Sequence, residues 1–427
     1  MRPTQKIAYA FFAQTVLLVM LYAAAALLGA VKFLSPADPL ALALPYHQIG
    51  GLTNVLLLLA GLTGLLGGGL YAAGEGDRAV NEMLLGYAFR LWTALLILAV
   101  AAGLLGLLEG RHLLELPPVL DALQIVTLAL VLVAVGSRAP RTPVIQVWMI
   151  GLGLSVVGTI IGLLPPGDYR QDRALRVLST GLTLNIAHPL MAAAVGFWLM
   201  RRFSNVTEEW ADTGVYSVAG MVTLAGALVS LTPLVALGET APVLGNIAVF
   251  AVPVLYAIFA AHAYRALADR SHSRTLSAHW FALALALFLL GMGLLGALQA
   301  APGVGVWTLG TRLTDLQITL TALAPAAMSL GAANQAAAEL RGQNRRVTGL
   351  TPFWLVSFGL IGGALALGAA GVAQALTERR LGLGYLDVQA LVEPLYALWV
   401  VGLLLVALGA AIYALTFWLR RPEIRSS

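Results

Sequence analysis

Residues 311–325 read Thr-Arg-Leu-Thr-Asp-Leu-Gln-Ile-Thr-Leu-Thr-Ala-Leu-Ala-Pro, and an apolar run continues to Asn334-Gln335. Arg312, Thr314 and Asp315 make a polar opening to a segment of membrane-spanning length. Gln317, Thr319 and Thr321 are spread through its first turns. Lipid offers no partner for such groups, so a helix carrying three of them is expected to face protein. The stretch therefore predicts a central helix with the rest of the chain packed around it.

Working outward, 59% of the 427 residues are apolar and 11% are charged. Soluble domains carry about 25% charged residues, so the composition indicates an all-α polytopic membrane protein. Twelve spans are expected, at 7–33, 45–73, 84–108, 118–136, 143–165, 176–201, 213–237, 243–267, 279–301, 311–337, 351–375 and 389–419. Each is long enough to cross a bilayer. No soluble segment interrupts them, so residues 1–427 are expected to form a single twelve-helix transmembrane domain. Residues 7–33 follow Arg2 and Lys6 but exceed a signal core in length, and they read as a retained first span. No internal repeat is evident.

The chain has no cysteine, which removes disulfides, thiolate metal sites and covalent c-type haem. The net charge of +5 is not gathered into a basic domain, so no nucleic-acid partner is expected. Cations collect at Arg138/Arg141, Arg201/Arg202, Arg265/Arg270/Arg274, Arg341/Arg345/Arg346 and Arg420/Arg421/Arg425. By the positive-inside rule both termini are expected in the cytoplasm; the expected setting is a bacterial cytoplasmic membrane, with lipid as the surrounding partner. Arg170, Arg173 and Arg176 break the alternation and are offset in part by Asp168 and Asp172.

The 311–337 stretch resembles the tenth helix of subunit I of the haem-copper oxidases, above all the C-family cytochrome c oxidases and the nitric oxide reductase large subunit. That helix opens on a Thr-Asp pair, here Thr314-Asp315, and carries two histidines one residue apart, each on the iron of a different haem. The corresponding residues here are Leu320 and Ala322. Weaker likenesses follow in order: Glu115-Leu116-Pro117-Pro118 with Asp121 resembles the start of the fourth helix, and Val215-Tyr216-Ser217 the seventh. Phe353-Trp354-Leu355 resembles the eleventh and Glu393-Pro394-Leu395-Tyr396 the twelfth. The likeness covers nearly the whole chain and implies a degenerate member lacking most metal ligands.

The family needs six histidines for two haems and a copper. This chain has six, but most stand elsewhere. His47 matches one low-spin haem ligand, and its partner position is Ala322. His188 matches a copper ligand on the sixth helix. The two histidines that follow the seventh helix correspond to Leu234-Val235 behind Pro233, so one imidazole remains and no metal site is expected. The resemblance implies propionate anchoring by Arg312 and Asp315; from the residues alone they read as an interfacial ion pair. His188 is expected to donate to a neighbouring helix. His112, His262, His272 and His279 read as loop or helix-end residues, and the redox tyrosine of the seventh helix is missing.

Thr183, Asn185, Gln317, Thr319 and Thr321 are expected to cluster where the haems would lie. Glu393 is the best placed carboxylate for a proton path. Gly67-Gly68-Gly69 reads as helix packing, not a phosphate loop. The expected function is a catalytically degenerate cytochrome c oxidase subunit I-like protein that partners other subunits of a respiratory complex, with no cofactor. The alternatives are a haem b protein, relaying electrons or sensing a gas through His47, and a small-solute transporter. Oxygen or nitric oxide reduction is not expected, because the ligand set is incomplete.

Overall fold

The computed structural model describes residues 2–35, 45–75, 80–108, 116–137, 142–165, 167–204, 206–235, 241–268, 276–308, 310–341 and 348–419. Twelve helices in it are long and apolar enough to cross a membrane, and the described residues contain no strand. The protein is an all-α polytopic membrane bundle. In chain order the helices are α1 (Pro3–Leu34), α2 (Tyr46–Ala73), α3 (Glu82–Leu104), α4 (Pro118–Gly136), α5 (Pro143–Gly162) and α6 (Tyr169–Phe203). There follow α7 (Glu208–Val235), α8 (Ala241–Ala268), α9 (Leu276–Ala300), α10 (Arg312–Arg341), α11 (Leu350–Arg380) and α12 (Tyr385–Leu419). A short helix, Pro302–Thr308, joins α9 to α10.

The twelve expected spans correspond one to one with these helices. The largest change is in α6, which begins at Tyr169, seven residues before the expected 176. Asp168 caps it, its Oδ1 accepting from the Gln171 amide at 2.8 Å, and Asp172 pairs with Arg176 one turn on. A side-chain cap and an i,i+4 ion pair stabilise a helical start that hydropathy alone does not register. Arg170 is thus a helical residue, not a loop charge.

Burial divides the helices into a centre and a shell. In the most apolar stretch of α2, α6 and α10, 78, 89 and 83% of the residues are buried, against 28 to 56% in the other nine. The expectation that α10 is central holds, and α2 and α6 share the centre with it. Glycine makes the contact close. Gly67, Gly68 and Gly69 are about 100° apart around α2. They meet Phe12 of α1, Val195 of α6 and Trp148 of α5, so consecutive residues touch three neighbours. The Trp148 indole, admitted by Gly69, donates from Nε1 to the Leu65 carbonyl at 2.9 Å.

Two of the spans contain a π-helical turn, Gly181–Ala187 in α6 and Leu289–Gly296 in α9. The first has a local cause. Pro189 has no amide proton, and its ring displaces the carbonyl four residues back, which is Asn185. The helix widens, and the His188 amide bonds to the carbonyl of Thr183, five residues back. The displaced Asn185 carbonyl lies against Gly226 of α7, where a Cβ would overlap it.

Candidate functional site

The functional question lies along the axis formed by α2, α6 and α10. The three run in the same direction, since Gly61 of α2 meets Pro325 of α10 and Gly64 meets Ser329, while Gly196 of α6 meets Met328 of α10. Their N-terminal ends form one polar group with neighbouring helices, their C-terminal ends another.

At the N-terminal end, Arg312 Nη1 and Asp315 Oδ2 are 2.8 Å apart. The guanidinium also lies over the rings of Phe33 and Tyr396, at 4.7 and 5.5 Å, and Nε donates to the Tyr396 hydroxyl at 3.4 Å. Tyr396 in turn donates to Gln389. The Arg312 amide, one of the unpaired amides at a helix start, donates to Gln374 Oε1 of α11. A cation on two aromatic faces and a carboxylate is well satisfied. Arg312 and Asp315 therefore form a helix-opening ion pair that ties α10 to α1, α11 and α12.

The C-terminal end holds a cluster that sequence reading did not find. Arg202 of α6 is bonded to Glu75, just past α2, and its Nε lies 3.6 Å from Glu339 of α10. Trp198 Nε1 donates to Glu75 at 2.9 Å, Tyr71 donates to Glu339 at 3.1 Å, and Gln335 also donates to Glu339. The Tyr71 and Trp198 rings stack edge to face at 5.5 Å. Arg2 adds a bond to the Gly74 carbonyl next to Glu75. One cation thus holds two carboxylates, and with them the ends of all three central helices. Glu75 and Glu339 stand outside the expected spans, 264 residues apart, and no local pattern joins them. Glu393, the carboxylate singled out from the sequence, is exposed on α12 instead.

Between the two ends α2 and α10 pack directly on each other. Leu320 and Ala322 are both buried and, two residues apart, point to opposite sides of α10. Leu320 packs on Gly291 in the π turn of α9, and Ala322 lies beside Gly61 of α2. A Cβ at Gly61 would sit 3.1 Å from Pro325, and one at Gly64 would overlap Ser329. At the depth of Ala322, α2 and α10 are thus in direct contact, with no room for a porphyrin between them at that level. The register disagrees as well. Gly61, level with Ala322, is fourteen residues deeper in α2 than His47, about 21 Å along the axis. The His47 side chain is outside the described residues, as are His112, His272, Glu115 and the side chains of Pro233, Leu234 and Val235.

No protein-family model matches the chain, and no curated protein matches it.

The expected polar cluster divides in two. Asn185 of α6 donates to Ser230 of α7 at 3.0 Å, and a Cβ at Gly158 of α5 would meet Thr183. On the other side, Thr321 bonds to the Gln317 carbonyl of its own helix, and Gln317 reaches Met292 Sδ at 3.9 Å. His188 is buried in α6 with its Nε2 unbonded, so the expected donation from that nitrogen to a neighbouring helix is absent. His262 lies edge-on to Trp210 and His279 to Phe353. Among the described residues no three histidine or carboxylate side chains come together as a metal cage.

Proposed function

We propose that this chain is a catalytically degenerate, cytochrome c oxidase subunit I-like integral membrane protein that serves as a structural or partner subunit of a respiratory complex. Its setting is a bacterial cytoplasmic membrane, with both termini on the cytoplasmic side. One observation carries the reading. The second, sixth and tenth helices, where the resemblance locates His47, His188 and the Leu320/Ala322 pair, are the three that form the centre of the bundle. The likeness drawn from short motifs thus agrees with a property of the whole molecule that those motifs do not encode.

On this reading, contact between helices takes the place of the family's cofactors. Leu320, Ala322 and Pro325 fill the faces of α10, and the polar ends of the trio are occupied by their own ion pairs. Fold does not carry activity, and a shell of this kind retains surfaces for other subunits after its chemistry is lost. The test is purification of the full chain in mild detergent from cells supplied with haem. Co-elution of redox-active partner subunits in fixed ratio, with no Soret band on this chain, is the expected result. Isolation as a lone polypeptide sinks the partner reading, and a Soret band assigned to this chain favours the His47 haem alternative.

A transport reading has one observation in its favour: ionic groups close the central trio at both ends. A flux assay on reconstituted protein decides it. Transport that survives replacement of both Gln317 and Asn185 removes the polar interior as its route.

A further inference from the structure

We propose that the groove between the C-terminal half of α8 and α9 is a binding site for an anionic phospholipid. It is open to the side of the bundle, holds about 690 Å3, and is lined by Ala260, Ala261, Tyr264, Arg265, Leu267 and Leu285. Ala260 and Ala261 are too small to fill the space, and Leu267 and Leu285 give it apolar walls. At this depth the molecule available to cover such walls is an acyl chain, and covering them is favourable at roughly 0.8 kcal/mol for each buried CH2.

The headgroup preference comes from Arg265. It stands in the last turn of α8, exposed at the rim beside Tyr264, and no salt bridge holds it among the described residues. A guanidinium presents paired donors that match two phosphate oxygens. His262 lies one turn back, edge-on to Trp210, and the sequence after α8 carries Arg270 and Arg274 against a single acid, Asp269. A zwitterionic lipid brings its own cation to this rim, whereas phosphatidylglycerol brings a net negative charge. The groove lies at the end of the bundle that carries Arg202, since α6 and α8 finish on the same side.

The full-length protein in detergent is incubated with equal amounts of phosphatidylglycerol and phosphatidylethanolamine of the same acyl chains, and retained lipid is read by native mass spectrometry. One charge contact near the membrane surface corresponds to roughly fivefold preference for phosphatidylglycerol. Arg265→Gln abolishes the preference while acyl-driven binding remains, and Arg265→Lys keeps much of it. Leu285→Trp, which fills the groove, lowers retention of both lipids. Equal retention of the two lipids by the wild type overturns the proposal, as does an unchanged preference in Arg265→Gln. Unchanged retention in Leu285→Trp places the lipid elsewhere and overturns it too.

Discussion

Arg202 is the residue on which the C-terminal end of the central trio depends. Its guanidinium faces Glu75 and Glu339, which without it are two carboxylates brought together with no cation between them. A charged hydrogen bond contributes about 1.5–3 kcal/mol. Arg202 is 38% exposed, so solvent screening reduces the net effect of its loss to about 1–2 kcal/mol. Arg202→Met is therefore expected to lower the melting temperature in detergent more than Glu339→Gln does, because a glutamine at 339 still accepts from Tyr71 and relieves the repulsion. An equal or reversed order in a thermal-shift series contradicts this account. Gly64 offers a second residue-scale test. Gly64→Ala drives a methyl into Ser329, an overpacking that costs about 1–3 kcal/mol. Ser329→Gly removes the opposing Cβ and should recover part of that loss in the double variant, measured by the same melting curves. Absence of any recovery means that the two helices adjust some other way.

The helices themselves carry information that single residues do not. In α6 the π turn places the Asn185 carbonyl against Gly226, and a backbone atom cannot swing aside as a side-chain tip can. Gly226→Ala is expected to cost about 1–3 kcal/mol, whereas alanine at Gly220, whose Cβ position is open, should be neutral or slightly stabilising. Comparable losses for the two substitutions would show that the widened turn is not what Gly226 accommodates. Register is the other property of this scale. The resemblance pairs His47 with Ala322 as two halves of one haem site, whereas the packed helices put Gly61 beside Ala322. Ala322→His is accordingly expected to give no bis-imidazole haem spectrum after expression with added haem. A six-coordinate low-spin spectrum from that variant would overturn the register.

For the whole molecule, hydropathy was enough to enumerate the spans because length and apolar content suffice to place a helix in a bilayer. It was not enough to arrange them. In water, a helix advertises its core-facing stripe by contrast with a polar face. In a membrane both faces are apolar, because lipid tails are as apolar as leucine, and that contrast disappears. Polarity within a span was the remaining signal. It identified α10 through Gln317, Thr319 and Thr321, even though Thr321 turned out to bond to its own helix. It said less about α2, whose central position rests on glycines that approach α1, α5, α6 and α10. The polar residues of α6, Thr183 and Asn185, were noticed but assigned to the wrong neighbours; they face α5 and α7. The wild-type protein from haem-supplied cells is expected to show no Soret absorbance, since the resemblance leaves His47 without a partner imidazole at Ala322, and α2 and α10 touch at the depth of Ala322. A stoichiometric haem band on this chain is the observation that rejects this expectation.

The amino-acid sequence by itself determined the all-α class and the twelve spans, since each depends on residue type and local spacing. Tertiary structure alone decided which helices form the centre, that Arg202 joins Glu75 to Glu339, and that Ala322 meets Gly61. These depend on the rotation and depth of one helix against another, which small residues and a few ion pairs fix only once the helices are side by side.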